Sequence, residues 1–364
     1  MTSVNSPLPL WEHWAQLTPD KVAIKNEAHA MTWRELCEHV QSLGQCLVEQ
    51  GVAPGDVVCL VGRAEQSLVL RYLACLAHGV IPALLSDQSK PQFIAKFDTL
   101  YRTDEPAIVW GNCQWDELTA QRDELELYRI ERSDDDFSKA DSQPTNAIEM
   151  TEPVASIVFT SGSTGRPKAV AHRASNHLAS AEGLLQRFRF TADDSWLLSL
   201  PMFHVSGLAI VWRWLTVGAT LNIASGNFAS DIANVTHASL VATQLKRIIE
   251  NKWPTSLKRV LLGGSHIAHK LVESAEARGI ESWMGYGMTE TASTVTAKRV
   301  DTMASSGTLL PHRALKVENE RIYVAGDTLA CGYFVQGKIS RFCWSLVGLI
   351  PKTSVAGIHN KSCV

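Results

Sequence analysis

This chain has little of what marks secreted, membrane-spanning or nucleic-acid-binding proteins. Its eight cysteines stand singly, with no C-x-x-C pair, so we expect free thiols rather than disulfides or a zinc site. Its net charge is only -3, which gives nucleic acid no basic surface to bind. The longest apolar stretch, Val205–Ala219, is interrupted by Arg213 and is too short to span a bilayer. No basic and apolar leader begins the sequence, and we therefore expect a cytoplasmic protein.

The apolar residues alternate between helical and strand spacing. Thr32, with Glu35 three residues later, forms a capping box that predicts the start of a helix. Because strands and helices alternate, we expect an α/β protein built on doubly wound parallel sheets. The helices expected in the first part of the chain are 9–17, 32–50 and 67–78. The strands expected are 57–61, 80–85, 154–159, 195–200, 220–223, 238–241 and 258–262.

Changes of composition divide the chain. With 364 residues it has room for two or three packed units. Residues 123–151 are charged and rich in serine, which is typical of an exposed connection. Residues 307–334 have the alternation of short strands. We therefore expect subdomains of about 1–150, 151–300 and 301–338.

One polar run is distinguished by its spacing. It follows the apolar strand end Ile157–Phe159 and combines hydroxyl residues, two glycines and a lysine. Glycine lets successive backbone N–H groups turn toward an anion, while Ser, Thr and Lys add donors suited to phosphate. The spacing is not that of the Walker loop, whose lysine directly follows the second glycine. The alternative is a plain polar surface turn. The run consists of Thr160, Ser161, Gly162, Ser163, Thr164, Gly165, Arg166, Pro167 and Lys168.

The run resembles the phosphate loop of the acyl-adenylate-forming (AMP-binding) superfamily, which includes acyl-CoA synthetases, luciferases and the adenylation domains of peptide synthetases. The further matches, in the order that the family has them, are 32–36, 51–58, 285–290 and 332–334. The resemblance implies an AMP-binding adenylation domain over residues 1–338. It also implies the fold of the family's large domain, in which two doubly wound α/β subdomains lie beside a distorted β-barrel.

The resemblance further implies a reaction and a site. ATP and a carboxylic acid give an acyl-adenylate and pyrophosphate, and coenzyme A then displaces AMP. The 160–168 loop, with Lys168, would hold the departing pyrophosphate. Glu290 would bind Mg²⁺, Thr289 would donate to the α-phosphate, and Tyr286 would stack on adenine. Alone, the glycine pair at 263–264 is more typical of a plain strand-to-helix turn. The other nucleotide-binding residues implied are Gly263, Gly264 and Ser265, which would form a flat wall for the base, and Gly287.

Within the superfamily, the sequence looks most like the o-succinylbenzoate–CoA ligases of menaquinone biosynthesis. The stretches that carry this likeness are 198–215, 237–245 and 290–295. Arg213 adds a physical reason, since it interrupts an apolar helix and a buried arginine needs an anionic partner. o-Succinylbenzoate has two carboxylates, and a guanidinium can bind its ring carboxylate bidentately. The alternatives are an internal salt bridge to an Asp or Glu, or a side chain whose charged end reaches the surface. His204 and Ser206 would line the substrate pocket, with His204 near the reacting carboxylate.

The resemblance ends near residue 338. The family has a further C-terminal lid domain that supplies a lysine, and a G-W-F-x-T-x-D motif whose Asp binds ribose; we find neither in this sequence. One permitted set of codons for Val347–Gly357, read in the neighbouring frame, encodes W-F-D-T-K-D-V-G-R-W. We therefore expect residues 339–364 to be an out-of-frame tail without regular structure. The alternative is an unrelated natural terminus.

Other functions stay open at this point. One is an acyl-CoA synthetase for a different aromatic or short-chain acid, and another is a non-catalytic remnant that binds adenylates. In each case the expected partners are small molecules, with no nucleic acid and no membrane span. The composition leaves a homo-oligomer open.

Overall fold

The computed structural model has two large β-sheets with helices packed on their faces. In the part of the chain that it describes, no helix is long and apolar enough to cross a membrane. The described residues are 9–102, 104–111, 127–130, 153–161, 167–263, 267–303, 305–319, 321–342 and 345–349.

The first sheet contains nine strands. They are β1 (Val22–Lys25), β2 (Ala30–Thr32), β9 (Ser195–Leu198), β10 (Thr220–Ile223), β11 (His237–Leu240), β12 (Arg259–Leu262), β13 (Glu281–Met288), β14 (Ser293–Arg299) and β15 (Thr308–Leu309). Their order is β15-β14-β13-β12-β11-β9-β10-β1-β2, and neighbours from β13 to β1 pair in parallel. The remaining edge strands are antiparallel.

The second sheet contains eight strands. They are β3 (Val57–Val61), β4 (Ile81–Leu85), β5 (Ala107–Trp110), β6 (Leu127–Ile130), β7 (Val154–Ser161), β8 (Pro167–Arg173), β18 (Gly332–Val335) and β19 (Lys338–Arg341). Their order is β19-β18-β8-β7-β4-β3-β5-β6. The four central strands β7, β4, β3 and β5 are parallel, and the outer strands are antiparallel.

Helices cover these sheets and join them into one core. They are α1 (Leu10–Leu17), α2 (Trp33–Glu49), α3 (Gln66–Ala77), α4 (Lys90–Leu100), α5 (Ala174–Leu185), α6 (Val205–Val217), α7 (Phe228–Asp231), α8 (Ala242–Glu250) and α9 (His269–Glu276). The predicted capping box is present, since Thr32 N–H donates to Glu35 Oε2 at 2.7 Å and Glu35 N–H donates to Thr32 Oγ1 at 3.2 Å. Leu84 of β4, Ile210 of α6 and Trp196 of β9 belong to one buried cluster, which fastens the two sheets together.

A small third sheet completes the fold. It pairs β16 (Ala314–Glu318), β17 (Arg321–Ala325) and β20 (Ser345–Leu349) in antiparallel fashion. The predicted α/β fold class is confirmed. The expectation that residues 339–364 would lack regular structure is wrong for 339–341, which belong to β19, and for 345–349, because backbone N–H and C=O groups can pair along a strand whatever side chains they carry. In the predicted connection 123–151, residues 127–130 form β6 instead, and the rest lies outside the described residues, as do residues 350–364.

The predicted subdomains do not coincide with the sheets. The nine-stranded sheet takes β1 and β2 from the start of the chain, and the eight-stranded sheet takes β18 and β19 from near its end. The boundaries near 150 and 300 therefore stay predictions about folding units.

Candidate active site

A cavity of about 440 Å³ opens where β9, β11 and β12 end. Ligands of open parallel sheets bind at this edge, because the loops that follow the carboxyl ends of the strands diverge there. Six of the predicted site residues line it, namely His204, Ser206, Arg213, Gly263, Gly287 and Thr289. The fold thus brings together side chains that the sequence separates by up to 85 positions (204 to 289).

Arg213 forms part of the wall of this cavity and is itself 2% exposed. It lies on α6, as predicted, with its guanidinium 5.2 Å from the Trp196 ring. It donates to Thr294 Oγ1 at 3.3 Å, while its Nε is buried without a partner in the described part of the chain. Burial, and after it the charge of Arg313, lowers the pKa of Arg213 to about 9. The structure gives this arginine no carboxylate among the described residues, so the internal salt bridge is not observed.

His204 and Ser206 stand at the start of α6, beside the same cavity. His204 is exposed rather than part of the core, and burial of one side of its ring lowers its pKa. Gly207, which follows, has no room for a side chain: a Cβ there would lie 2.1 Å from Pro201 O. This close approach sets the first turn of α6 against the preceding chain and holds His204 at the cavity mouth.

Thr289 begins a short 3₁₀ turn, Thr289–Thr291, between β13 and β14. Its carbonyl accepts from His172 Nε2 at 2.7 Å, which ties the turn to β8 of the other sheet. The hydroxyl of Ser156 lies 2.8 Å from Nε2 of His177 and 3.5 Å from Nδ1 of His172, and both imidazoles are buried. Burial lowers the pKa of His172 to about 4, so this support is neutral at pH 7.

Glu290, the predicted magnesium ligand, lies in the same turn. Its carbonyl accepts from Ala330 N–H at 2.9 Å, and its carboxylate Oε1 accepts from the Tyr333 hydroxyl at 3.2 Å. The Lys168 ammonium lies 5.2 Å from the centre of the Tyr333 ring. Burial and the Glu290 charge raise the pKa of Tyr333 to about 12. One aromatic ring therefore stands between the predicted phosphate-binding lysine and the predicted magnesium-binding carboxylate.

The predicted phosphate loop is described only at its two ends. Thr160 pairs with Lys168 and Ser161 with Pro167, so these four residues extend the β7–β8 hairpin instead of belonging to the loop. Strand pairing continues there because it uses backbone N–H and C=O groups, which polar residues also carry. The predicted residues outside the described part are Gly162, Ser163, Thr164, Gly165, Gly264 and Ser265.

Tyr286 lies on β13 between two glycines that face the cavity, Gly285 and Gly287. Tyr286 itself is not among the residues that line the cavity, and it is 38% exposed. Its pKa is raised by partial burial. A Cβ at Gly263 would meet nothing within 4 Å, which leaves a flat wall at the end of β12. Adenine stacking on Tyr286 and contact with Gly263 stay predictions.

Sequence reasoning did not single out several residues at this site. Tyr333 stands in a stretch quoted only for its likeness to the family, and nothing local signals its bond to Glu290. Ser239 and Thr294 line the cavity beside Arg213, and the Ser239 hydroxyl is buried without a partner among the described residues. The available signal was that Ser239 and Thr294 lie in stretches that resemble the ligases, and that an arginine inside an apolar helix needs polar neighbours.

Comparisons with known proteins agree with this geometry. The family model described as AMP-binding enzyme matches residues 11–334. The 2-succinylbenzoate–CoA ligase of Escherichia coli (strain K12) is 37% identical over 338 residues, which cover 90% of this chain and 70% of that protein. The protein of the same name from Haemophilus influenzae is 33% identical over 326 residues, covering 88% of this chain and 67% of that protein.

Solved structures give the same result. A wild-type E. coli MenE with a bound m phenylether-linked analogue of OSB-AMS is 35% identical, with a TM-score of 0.77 over 93% of this chain and 74% of that chain. A single-substitution variant of E. coli MenE with bound OSB-AMS has a TM-score of 0.80 at 33% identity, over 95% of this chain and 76% of that chain.

Proposed function

This chain belongs to the AMP-binding enzyme family, and we propose that it is an acid–thiol ligase that activates 2-succinylbenzoate. In the first half-reaction a carboxylate oxygen attacks the α-phosphorus of ATP, giving the acyl-adenylate and pyrophosphate. In the second, the sulfur of coenzyme A attacks the acyl carbon, and AMP leaves. The product, 2-succinylbenzoyl-CoA, serves menaquinone biosynthesis. We also propose that the protein acts in the cytoplasm on these small molecules.

The observation that carries the proposal is the buried guanidinium of Arg213, which has no carboxylate partner among the described residues. Placing a charge in a nearly dry wall is unfavourable unless an opposite charge joins it. An anionic ligand in the cavity could supply that opposite charge. The hydroxyl of Thr294, which accepts from Arg213, and the hydroxyl of Ser239 line the same cavity. A ring carboxylate would bind both the guanidinium and these donors, whereas a fatty acid would leave them unpaired. The site therefore favours an aromatic acid with a second carboxylate.

The nucleotide would lie between the β7–β8 hairpin and the 3₁₀ turn. Lys168 would neutralise the pyrophosphate that departs, and Thr289 would donate to the α-phosphate. Because two anions meet at one phosphorus, the main contribution of the protein is positioning and charge neutralisation. The clamp of His172 on the Thr289 carbonyl holds the donor in place before ATP arrives.

Mg²⁺ fits this site only with the help of the nucleotide. Among the described residues, no group of three or more His, Cys, Asp or Glu could hold a metal ion alone. Glu290 offers one carboxylate whose other contact is a hydroxyl donor, and Mg²⁺ commonly binds through one carboxylate together with substrate phosphates. When bound there, the ion would withdraw negative charge from the phosphates.

Substrate choice provides the test. Arg213→Ala should lower acid-dependent ATP–pyrophosphate exchange with 2-succinylbenzoate by tens- to thousands-fold, since losing a buried charge pair costs about 2–5 kcal/mol. The loss should be much smaller with β-benzoylpropionate, which lacks the ring carboxylate. The exposed Arg187→Ala is the matched control and should match the parent protein with both acids. Equal losses on both acids from Arg213→Ala would make this arginine structural and refute the diacid assignment.

A further inference from the structure

A lysine and a glutamine amide form a second group of donors, next to strand β7 of the eight-stranded sheet. Lys96 of α4 donates from Nζ to Gln88 Oε1 at 2.8 Å, and the same ammonium lies 5.2 Å from the centre of the Phe159 ring. Lys96 is half-buried, and among the described residues no carboxylate pairs with it.

The amide of Gln88 is oriented by this contact. Because its Oε1 accepts from the ammonium, its Nε2 must point elsewhere, and a flipped amide would set two donors against each other. Nε2 is buried and has no partner in the described part of the chain. A cationic donor and a neutral N–H donor therefore lie together, and the N–H has no acceptor among the described residues, which is unfavourable for a buried N–H.

The position of this pair points to the reacting groups. Phe159 directly precedes Thr160, where the predicted phosphate-binding run begins. The charge of Lys96, after burial, also contributes to lowering the pKa of His204, which lines the cavity. Burial lowers the pKa of Lys96 itself to about 8, as it does for an ammonium that has lost water without gaining an anion.

We propose that Lys96 and Gln88 form a second carboxylate subsite, which holds the aliphatic carboxylate of the diacid while Arg213 holds its ring carboxylate. This inference rests on the proposed function. A carboxylate has two oxygens, which match one ammonium N–H and one amide N–H. A nucleotide phosphate has the same acceptor chemistry, but the phosphate-binding run already carries its own lysine and hydroxyls. The pair thus positions the carboxylate that attacks the α-phosphorus.

Calorimetric titration of three acids tests the assignment. The acids are 2-succinylbenzoate, β-benzoylpropionate, which has only the aliphatic carboxylate, and o-butanoylbenzoate, which has only the ring carboxylate. Lys96→Met keeps the apolar stem against Phe159 and removes the charge. It should weaken binding of the first two acids about ten- to a hundredfold and leave o-butanoylbenzoate unchanged. Arg213→Ala should give the opposite selectivity, sparing only β-benzoylpropionate.

Three further variants sharpen the test. Lys96→Arg should retain most of the affinity because the charge is kept, and Gln88→Leu should lose a smaller factor, about three- to tenfold, on the same two acids. Lys90→Met, an exposed lysine on the same helix, is the matched control. If Lys96→Met instead weakens α,β-methylene-ATP and spares the acids, the pair binds phosphate and the carboxylate assignment is overturned. If it changes neither, the pair is not a subsite. If the parent protein binds none of the acids, the proposed function itself fails.

Discussion

Two buried arginines, one in the cavity wall and one behind the 3₁₀ turn, are satisfied in different ways. Arg313 donates from Nη1 to Pro311 O at 2.6 Å, and from Nη2 to the carbonyl and hydroxyl of Ser180, both at 3.1 Å. Within the described part of the chain, Arg213 has a single hydrogen bond, at 3.3 Å, to Thr294. Burial lowers the pKa of both, to about 10 for Arg313 and about 9 for Arg213.

The difference separates a structural charge from a charge that awaits a ligand. Backbone carbonyls and the Ser180 hydroxyl take both Nη groups of Arg313, although its Nε, like that of Arg213, has no partner among the described residues. The Ser180 hydroxyl then donates to Ala292 O at 2.5 Å, at the end of the turn. That region is braced whether or not substrate is present. On the cavity side, the Arg213 guanidinium makes one hydrogen bond among the described residues and the buried Ser239 hydroxyl makes none. We therefore expect Arg313 to contribute mainly to the stability of the fold, and Arg213 mainly to the binding of substrate.

The largest expected effect contrasts the two arginines directly. Arg313→Met should lower the free energy of unfolding by about 3 kcal/mol, because it leaves several buried carbonyls without donors. Arg213→Met should cost nothing or stabilise the chain, since it removes a buried charge that has no counter-ion. Urea unfolding at fixed pH measures both. Similar destabilisation by the two substitutions would abolish the distinction between bracing and recognition.

A pH-dependent effect of similar or smaller size is expected from the bracing region. An unfolded histidine has a pKa near 6.5, and folding lowers that of His172 to about 4. The unfolded chain therefore takes up a proton first, so stability is complete above about pH 6.5 and falls by up to roughly 3 kcal/mol as the pH drops toward 4. His172→Gln keeps a donor for Thr289 O but cannot titrate, and its unfolding free energy should fall less steeply with acid.

Two comparisons control the acid experiment. The exposed His269→Gln variant should keep the steep acid dependence of the parent protein. His177, whose pKa is also lowered by burial, should retain its share of the slope in the His172 variant. An unchanged slope in His172→Gln would show that this imidazole contributes nothing to the pH dependence of folding.

The smallest effect on activity is expected from the partly exposed hydrogen bond between Tyr333 and Glu290. Tyr333→Phe removes the hydroxyl that donates to Glu290 Oε1 at 3.2 Å, a half-exposed bond worth about 1 kcal/mol. We expect Mg²⁺-dependent adenylation to change by less than about tenfold, with Tyr323→Phe as a control in the small third sheet. Glu290→Gln should lose far more, because it removes the carboxylate itself. A loss from Tyr333→Phe as large as that from Glu290→Gln would mean that the hydroxyl takes part in binding the metal.

Local patterns predicted the elements well and their partners poorly. The capping box at Thr32 and the strand at 57–61 are where the sequence placed them, because both depend on residues only a few positions apart. The hairpin ends at Thr160 and Lys168 were taken as loop, since polar residues hid a strand that tertiary pairing extends. Likewise, nothing near β1 shows that it pairs with β10, which lies almost two hundred positions later.

The sequence by itself determined which chemistry this protein carries. The phosphate-binding run, the Thr289–Glu290 pair and a charged Arg213 inside an apolar helix can all be read without coordinates. Only the tertiary structure decided that Arg213 has no acidic partner among the described residues, that Tyr333 lies between Lys168 and Glu290, and that Lys96 donates to Gln88. The physical reason is that periodicity and capping are set by neighbours in the chain. Whether a buried donor is satisfied depends on which distant segments pack against it.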